Sequence, residues 1–585
     1  MYSHVEQIKS RLTKEDEKFL KDIYAPTEVT KCDEDAFRFL CVTPDGKIRF
    51  YGLYGKKVVN DINALDCYIE SADGGLSWKR HLKPEGSLGA SVQIPFGKYK
   101  GKYIGPVKVD EKLCYAIADD PDSAPFLVTP IQSSDHRITN DSATMPVFMK
   151  SKERILVIVH EQRPEIHESA YFVKVHYSDD CGETYKIVDP GYAPLFEKQW
   201  PHKGMRWEQN YRENTIEELS DGTLMMIART TSDYHYINYS YDGGETWTKP
   251  EPSVFHSTGT MPKLKKLSDG RIVFCWCNTK LLPEVDDTEG VWEDFFTNRD
   301  VNHIAITEDD GKTWKGFREM VLNPIRNYAD FRSFGGIVSG ADKSVHQFEI
   351  MELPFNKLLV AYGQNIACVR IIILDLDWLY EKSRTNTPVN GLENLSTQSY
   401  VKSIPGGFIG SRTEASEHTG HCAYNRVSSV MVVPNPYDPT FEALSFKTLH
   451  DERLLSTISG AVWNFPIARK GTVKIKAKIG GMGLRVSLLD HWMNPTDDTL
   501  PYFADYSIVL REDMHEKDEM AEFVFTFDCD KDEVTLTCGD YLCHTAKLNG
   551  NHPMGLCYLH LQTAAPNGVV DPKETIVSHL YFDAE

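Results

Sequence analysis

SADGGLSW (Ser71–Trp78), SDDCGETY (Ser178–Tyr185), SYDGGETW (Ser240–Trp247) and TEDDGKTW (Thr307–Trp314) are four copies of one pattern, Ser/Thr-x-Asp-x-Gly-x-Ser/Thr-Trp/Tyr. Each follows an alternating apolar run: CYIES, FVKVHYS, YINYS and HIAIT. Strand, tight turn, strand is the economical reading, because Asp and Ser side chains satisfy a turn's own amides and Gly supplies positive φ. The closing Trp or Tyr can bury against a neighbouring sheet. The aspartates, Asp73, Asp180, Asp242 and Asp309, are 107, 62 and 67 residues apart, which gives units of roughly 55–65 residues and leaves room for one unit whose turn has lost the pattern. Further hairpin signals lie outside the boxes: TPDG (Thr43–Gly46), LSDG (Leu219–Gly222) and LSDG (Leu267–Gly270). A four-stranded sheet with three turns fits one unit, and radial repetition of such sheets makes a propeller with few exposed edges.

The four boxes resemble the Asp-box (BNR-repeat) motifs of the sialidase/neuraminidase superfamily. That resemblance implies an all-β chain with a six-bladed β-propeller over residues 28–383 and the boxes at its rim, away from chemistry. Residues 1–27 read as a polar amphipathic helical segment. The polar stretch after Asp375–Glu381 reads as a linker over 384–399. From 400 to 585, alternating runs such as GTVKIKAKI and EFVFTFDCD predict a jelly-roll or lectin-like β-sandwich.

Across 585 residues, 85 acidic against 64 basic side chains leave a net charge of −21. That field disfavours nucleic acid and anionic membrane surfaces as partners, and an anionic substrate would need a local basic pocket. No apolar run approaches the roughly 20 residues of a spanning helix. The opening MYSHVEQIKSRLTKEDEKFLKDIY lacks the apolar core of a signal peptide, so a cytoplasmic location is expected unless a leader has been trimmed. Thirteen cysteines without a CxxC fit free thiols. Without HExxH, an EF-hand loop, GxGxxG or a P-loop, neither metal nor cofactor is expected. A homo-oligomer stays open.

Chemistry in a propeller gathers at the central channel. The resemblance implies three arginines there, planar and permanently charged forks suited to a substrate carboxylate. By local context they are Arg38 in AFRFLCVTPDGKIRFYG, Arg229 closing RENTIEELSDGTLMMIART, and Arg299 in NRDVNHIAITEDDGKTW. The glutamate that activates a tyrosine nucleophile would be Glu213, with Glu208, Glu217 and Glu218 as competitors. The acid/base would be Asp61 in GKKVVNDINALDCYIES, with Asp66 the alternative. The nucleophile would be Tyr328 in NPIRNYADFRSFGG, a phenol with an ordinary pKa near 10 that needs a carboxylate to take its proton. Outside the resemblance, Trp207 (with His202 and Arg206) and His346 (with Asp342 and Gln347) stand on strand-entry loops, where propellers keep substrate contacts. GHCAYNR (Gly420–Arg426) could reach over the propeller from the second domain.

These residues predict an exo-glycoside hydrolase that releases a terminal acidic sugar, sialic acid or a related 2-keto sugar acid, from a glycan with retention. Two alternatives stay open. One is a glycosidase or lyase acting on another acidic sugar such as a uronate, with His346 or His303 as the base. The other is a carbohydrate-binding protein without catalysis.

Overall fold

A computed structural model describes residues 4–31, 38–51, 67–110, 112–132, 137–138, 144–162, 171–197, 200, 211–280, 301–323, 345–363, 369–387, 391–401, 421–423, 430–450, 456–516 and 519–585. Among these residues the chain is all-β apart from short helices, and it divides into six antiparallel blades followed by a two-sheet sandwich. Blade 1 holds Arg38–Val42, Ile48–Tyr51, Cys67–Ser71 and Lys79–Leu82; blade 2 holds Val92–Gln93, Tyr103–Val109, Lys112–Ala118 and Leu127–Pro130. In blade 3, Arg137–Ile138 and Val147–Met149 share the inner edge of Arg154–Gln162, and Tyr171–Ser178 and Lys186–Val188 complete it. Blade 4 is Arg212–Glu218, Leu224–Arg229, Tyr234–Ser240 and Glu251–His256. Blade 5 is Lys263–Lys266, Ile272–Trp276, Val301–Thr307 and Lys315–Leu322. Blade 6 is Glu349–Leu353, Lys357–Tyr362 and Arg370–Asp375, closed on its outer edge by Thr27–Lys31 from the start of the chain.

The first strands of blades 3 and 4, 4 and 5, 5 and 6, 6 and 1, and 1 and 2 neighbour one another, so they form the inner wall of a ring. Blade 2 meets blade 3 through a shared core that includes Tyr103, Tyr115, Ile155 and Val157. Antiparallel order then sorts the turns by end. The Asp boxes join third to fourth strands, and the TPDG and LSDG turns join first to second strands, so both sets share one end of the propeller. Starts of first strands and ends of second strands lie at the other. The blade whose turn has lost the box pattern is blade 2, where Asp119–Phe126 links its last two strands.

Each box closes on itself through its aspartate. Asp242 accepts from Ser240 Oγ (2.9 Å), the amides of Glu245 (3.0 Å) and Thr246 (2.9 Å), and Thr246 Oγ1 (2.5 Å). These bonds overcome the cost of burial and hold its carboxyl down at about 2. Ser240 Oγ in turn accepts from Gly244 N at 2.7 Å. Gly244 needs its φ of +93° and sits where a Cβ would meet Leu156 at 3.1 Å. Trp78, Trp247 and Trp314 each return an indole N–H to the box glycine's carbonyl at 2.9, 3.2 and 3.1 Å. The second box has Tyr185, whose hydroxyl is buried without a hydrogen-bond partner among the described residues.

Two details differ from the sequence reading. The N-terminal segment is two helices, His4–Arg11 and Lys14–Asp22, because Thr13 and Asp16 form a capping box that restarts the helix. Ile8 and Leu20 bury against a core shared by blades 1 and 6. The stretch expected as a linker pairs instead with the sandwich: Ser383–Asn386 runs along Asp571–Ala584, and Ser396–Val401 along Gly460–Ala468. Its polar composition suits an edge, where backbone bonds rather than apolar side chains attach the strand. The ten cysteines whose side chains are described are free thiols.

In the sandwich, one sheet contains Met431–Pro434, Glu442–Thr448, Asp571–Ala584, Lys470–Lys478, Ala521–Asp528, Glu533–Cys538 and Tyr541–Lys547. The other contains His421–Ala423, Ser396–Val401, Gly460–Ala468, Leu556–Thr563, Leu484–Leu489 and Tyr506–Leu510. Their inner faces enclose Trp463, Phe465, Phe523, Phe525, Phe527 and Phe582. The sandwich packs on blade 5 through a core that includes Trp276, Phe317, Trp492 and Tyr558. One polar group in that seam is fully matched: Asn464 donates to the carbonyls of Phe317 (3.0 Å) and Cys557 (3.1 Å) and accepts from Glu319 N (3.0 Å).

Asp242→Ala removes four hydrogen bonds to one ionised carboxylate, and a loss of about 2–3 kcal/mol is expected in urea unfolding. A depressed carboxyl contributes stability above its unfolded value of 3.8, and that contribution fades as pH falls toward about 2. The gap between wild type and variant should therefore narrow on acidification.

Candidate functional site

The inner strand of blade 4 begins irregularly. Arg212 pairs with Arg229, but the next registered pair is Thr215 with Ile227, so Glu213 and Asn214 face one partner residue in a β-bulge. Tyr211 and Glu213 flank Arg212 with φ of +63° and +53°. A left-handed conformation costs a residue with a Cβ about 1–2 kcal/mol, so surrounding contacts must enforce it. Tyr211, fully buried, donates its hydroxyl to Asn238 Oδ1 at 2.6 Å, and Asn238 is anchored on Pro190 O at 2.8 Å. Glu213 N donates to His160 Nε2 at 3.0 Å, which makes that nitrogen the lone-pair side of a neutral ring.

The bulge turns the Glu213 carboxylate onto Arg229 at the end of the second strand. Arg229 Nη1 lies 2.7 Å from Glu213 Oε2, and the two side chains are only 8 % and 14 % exposed. Burial alone would push the Glu213 carboxyl up. The charges of Arg229 and Arg212, the hydrogen bond from Arg229 and the nearby His346 ring outweigh it and hold the group far below the usual carboxylate range. Glu213 therefore rests as a carboxylate that accepts the Arg229 hydrogen bond.

Left-handed residues recur at this end of the ring. Phe39 has φ of +66° at a register break between Arg38 and Leu40 on the inner strand of blade 1. Gln347 has φ of +73° immediately after buried His346, at the entry to blade 6. Three blades thus carry strained backbone beside Arg38, Glu213 and His346, the kind of local strain that clusters where side chains must be aimed.

The structure brings together Glu213, Arg229 and His346 from the set singled out in the sequence. Arg38 begins the inner strand of blade 1, at the same end, and its side chain lies outside the described residues, as do Asp61, Trp207, Arg299 and Tyr328. So do Asp66, His202, Arg206, Glu208, Asp342, and Gly420 and residues 424–426 of GHCAYNR. Two competitors of Glu213 have other tasks. Glu218 accepts the amides of Lys150 (2.7 Å) and Ser151 (3.1 Å) at the box end, while burial pushes the carboxyl of Glu217 up against the pull of Lys265 and Lys266. His303 is not a channel residue: its Nδ1 accepts from Asn278 N at 3.0 Å, its Nε2 bonds Tyr558 of the sandwich, and burial lowers it to about 3. It stands on the third strand of blade 5, and apolar packing draws that blade's face against the sandwich.

Sequence reasoning missed Arg212 and His160. Arg212 opens the quoted RENTIEELSDG segment; His160 follows the apolar run ILVIV, and a polar residue at that strand end was its available signal.

Residues 126–331, from the last strand of blade 2 past blade 5, match the family model described as a BNR repeat-like domain. That match supports the resemblance to the BNR-repeat superfamily drawn from the four boxes. Comparison with curated proteins returns no match. Among solved structures, the Trypanosoma rangeli sialidase in complex with sialic acid aligns over 96 % of this chain and 94 % of its own, at 12 % identity and a TM-score of 0.36. The same enzyme with the inhibitor DANA covers 96 % and 94 % at 12 % identity and a TM-score of 0.33. A protein of unknown function from Dyadobacter fermentans covers 60 % of this chain and 98 % of its own at 14 % identity and a TM-score of 0.36. These likenesses are loose, and the propeller rests on the sheets themselves.

Arg229→Met strands a buried carboxylate and should destabilise the protein by about 3–5 kcal/mol in urea unfolding. Adding Glu213→Gln to that variant should restore most of the loss. Because the folded carboxyl is depressed, the stability that Glu213 contributes is present above its unfolded value of 4.5 and is lost as pH falls below it.

Proposed function

We propose that this protein is an exo-glycoside hydrolase that removes a terminal acidic sugar, sialic acid or a related 2-keto sugar acid, from a glycan with retention of configuration. The observation that carries the reading is the buried Glu213–Arg229 pair, set by a strained bulge beside His346 at the box-free end of the ring. A guanidinium fixed in a water-poor setting suits a sugar carboxylate, and an ionised glutamate beside it suits a phenol that must lose its proton.

In this proposal Arg229 holds the substrate carboxylate together with Arg38 and Arg299, and Trp207 and His346 contact the sugar. Asp61 protonates the leaving glycosidic oxygen as the bond to the anomeric carbon breaks. The oxygen of Tyr328 attacks that carbon and gives its proton to Glu213. Water, deprotonated by Asp61, then cleaves the tyrosyl-sugar bond, and Glu213 returns the proton to the phenolate. A tyrosine serves here because a carboxylate nucleophile would be repelled by the acid group beside the anomeric carbon.

The second reading, a carbohydrate-binding protein without turnover, is favoured by the same ion pair, since Glu213 and Arg229 already satisfy each other. Hydrolysis of a 4-methylumbelliferyl sialoside separates the two. The hydrolase reading predicts release of the fluorophore, first formation of the retained anomer by NMR, and a fall in kcat of about 10²-fold or more for Glu213→Gln and Tyr328→Phe. It also predicts no loss of kcat/KM to protonation of Glu213 down to about pH 4, the ordinary carboxylate range. Binding of the acidic sugar without turnover, across a panel of acidic glycosides, supports the second reading.

A further inference from the structure

On the blade 4 side of the sandwich seam, two imidazoles meet one carboxylate. His256 ends the outer strand of blade 4, whereas Asp490 and His491 follow the sandwich strand Leu484–Leu489. His256 Nε2 lies 3.3 Å and His491 Nδ1 2.5 Å from the same oxygen, Asp490 Oδ1. The rings stack with centroids 3.8 Å apart at 26°, and both histidines are nearly inaccessible at 6 % and 4 % exposure. The far nitrogens, His256 Nδ1 and His491 Nε2, are buried without a hydrogen-bond partner among the described residues. Burying them unsatisfied is costly, so the shared carboxylate and the packing around the rings must hold the cluster together.

The loop that presents these groups is fixed from behind. Asp490 O accepts from Asn278 Nδ2 (2.9 Å) and Cys557 Sγ (3.1 Å), Trp492 N donates to Asn278 O (2.9 Å), and Lys280 N donates to Trp492 O (3.0 Å). Asn278 and Lys280 follow the second strand of blade 5, so the donors come from blade 4 and the sandwich and blade 5 braces the loop that carries two of them. A second buried carboxylate, Asp505, held by His552 at 2.7 Å, adds negative charge to the neighbourhood.

We propose that His256, Asp490 and His491 bind a divalent transition-metal ion of the zinc class, which ties the propeller to the sandwich. Nitrogen and carboxylate donors suit zinc, whereas calcium and magnesium favour all-oxygen shells. With metal–ligand distances of 2.0–2.2 Å, neighbouring donors around a tetrahedral ion lie about 3.4 Å apart. One edge of the cluster is at 3.3 Å, the His491–Asp490 edge is held at 2.5 Å by their hydrogen bond and must open, and one donor atom from each residue falls within 4.8 Å of the others. Binding requires the protons now shared with Asp490 to leave the facing nitrogens, both rings turning their lone pairs to the ion. A modest ring rotation must accompany this, because stacked rings do not yet aim at one point. The fourth position is left to water.

The test is independent of whether the protein is an enzyme. Full-length protein, stripped with a chelator and dialysed, is titrated with zinc chloride by calorimetry and with cobalt(II) by visible absorbance. We expect one tight equivalent of zinc, ligand-field bands of a four-coordinate cobalt site, and a rise in Tm with zinc. Asp490→Asn, His256→Gln and His491→Gln should each weaken zinc at least tenfold and abolish the Tm rise, with circular dichroism confirming the fold. Weaker zinc binding at other histidines or thiols would persist in all three variants. Absence of a tight equivalent in the wild type, or equal uptake by the folded variants, overturns the proposal and leaves a proton-sharing His–Asp–His cluster.

Discussion

An ion pair removed from water stands at the centre of this structure. Bringing Glu213 and Arg229 into a nearly closed site costs both their hydration, and their mutual attraction offsets that cost only at close range and in fixed geometry. Geometry comes from backbone held in an uncommon conformation. Tyr211 and Glu213 adopt left-handed φ because Asn238 grips one and His160 the other. Were the strand regular, alternation along it would swing the Glu213 side chain to another face and leave Arg229 unmatched. The site is therefore maintained against local preference by the rigid blades around it.

That arrangement divides the propeller into two ends with different chemistry. At one end, Asp, Ser or Thr, and Gly close each box through local hydrogen bonds, and Trp78, Trp247 and Trp314 pack into cores shared with the preceding blade. At the other, bulges and strained entries replace regular turns in blades 1, 4 and 6. The sandwich joins the ring alongside blades 4 and 5, where Asn278, His303 and Glu319 of the propeller meet Asp490, Asn464 and Tyr558. It is thus built into the architecture near the blade that carries the ion pair.

What could be read from the sequence was local or periodic. The boxes were legible because the whole hydrogen-bond circuit of each turn fits within eight residues, and the strands because apolar alternation accompanies them. Glu213 and Arg229 were legible as a pair only through the resemblance of RENTIEELSDGTLMMIART to a known arrangement; the bulge between them leaves no periodic trace. His160, on another blade, could not be connected to Glu213 without the fold. Closure of the ring by Thr27–Lys31 was hidden for the same reason, since its partner Arg370–Asp375 lies at the far side of the domain in sequence. The stretch 384–399 misled because polar edge strands and linkers share a composition. Thr13 did advertise the break between the two helices, since the threonine and Asp16 already spell a cap.

The central claim is that the strained end of the ring recognises a sugar through its negative charge. Calorimetric titration of the wild-type protein with N-acetylneuraminic acid and with its methyl ester, at equal ionic strength, tests this most directly. The account predicts saturable binding of the free acid and none of the ester, which keeps every hydroxyl and loses only the anion. Equal binding of both, or of neither, would contradict it.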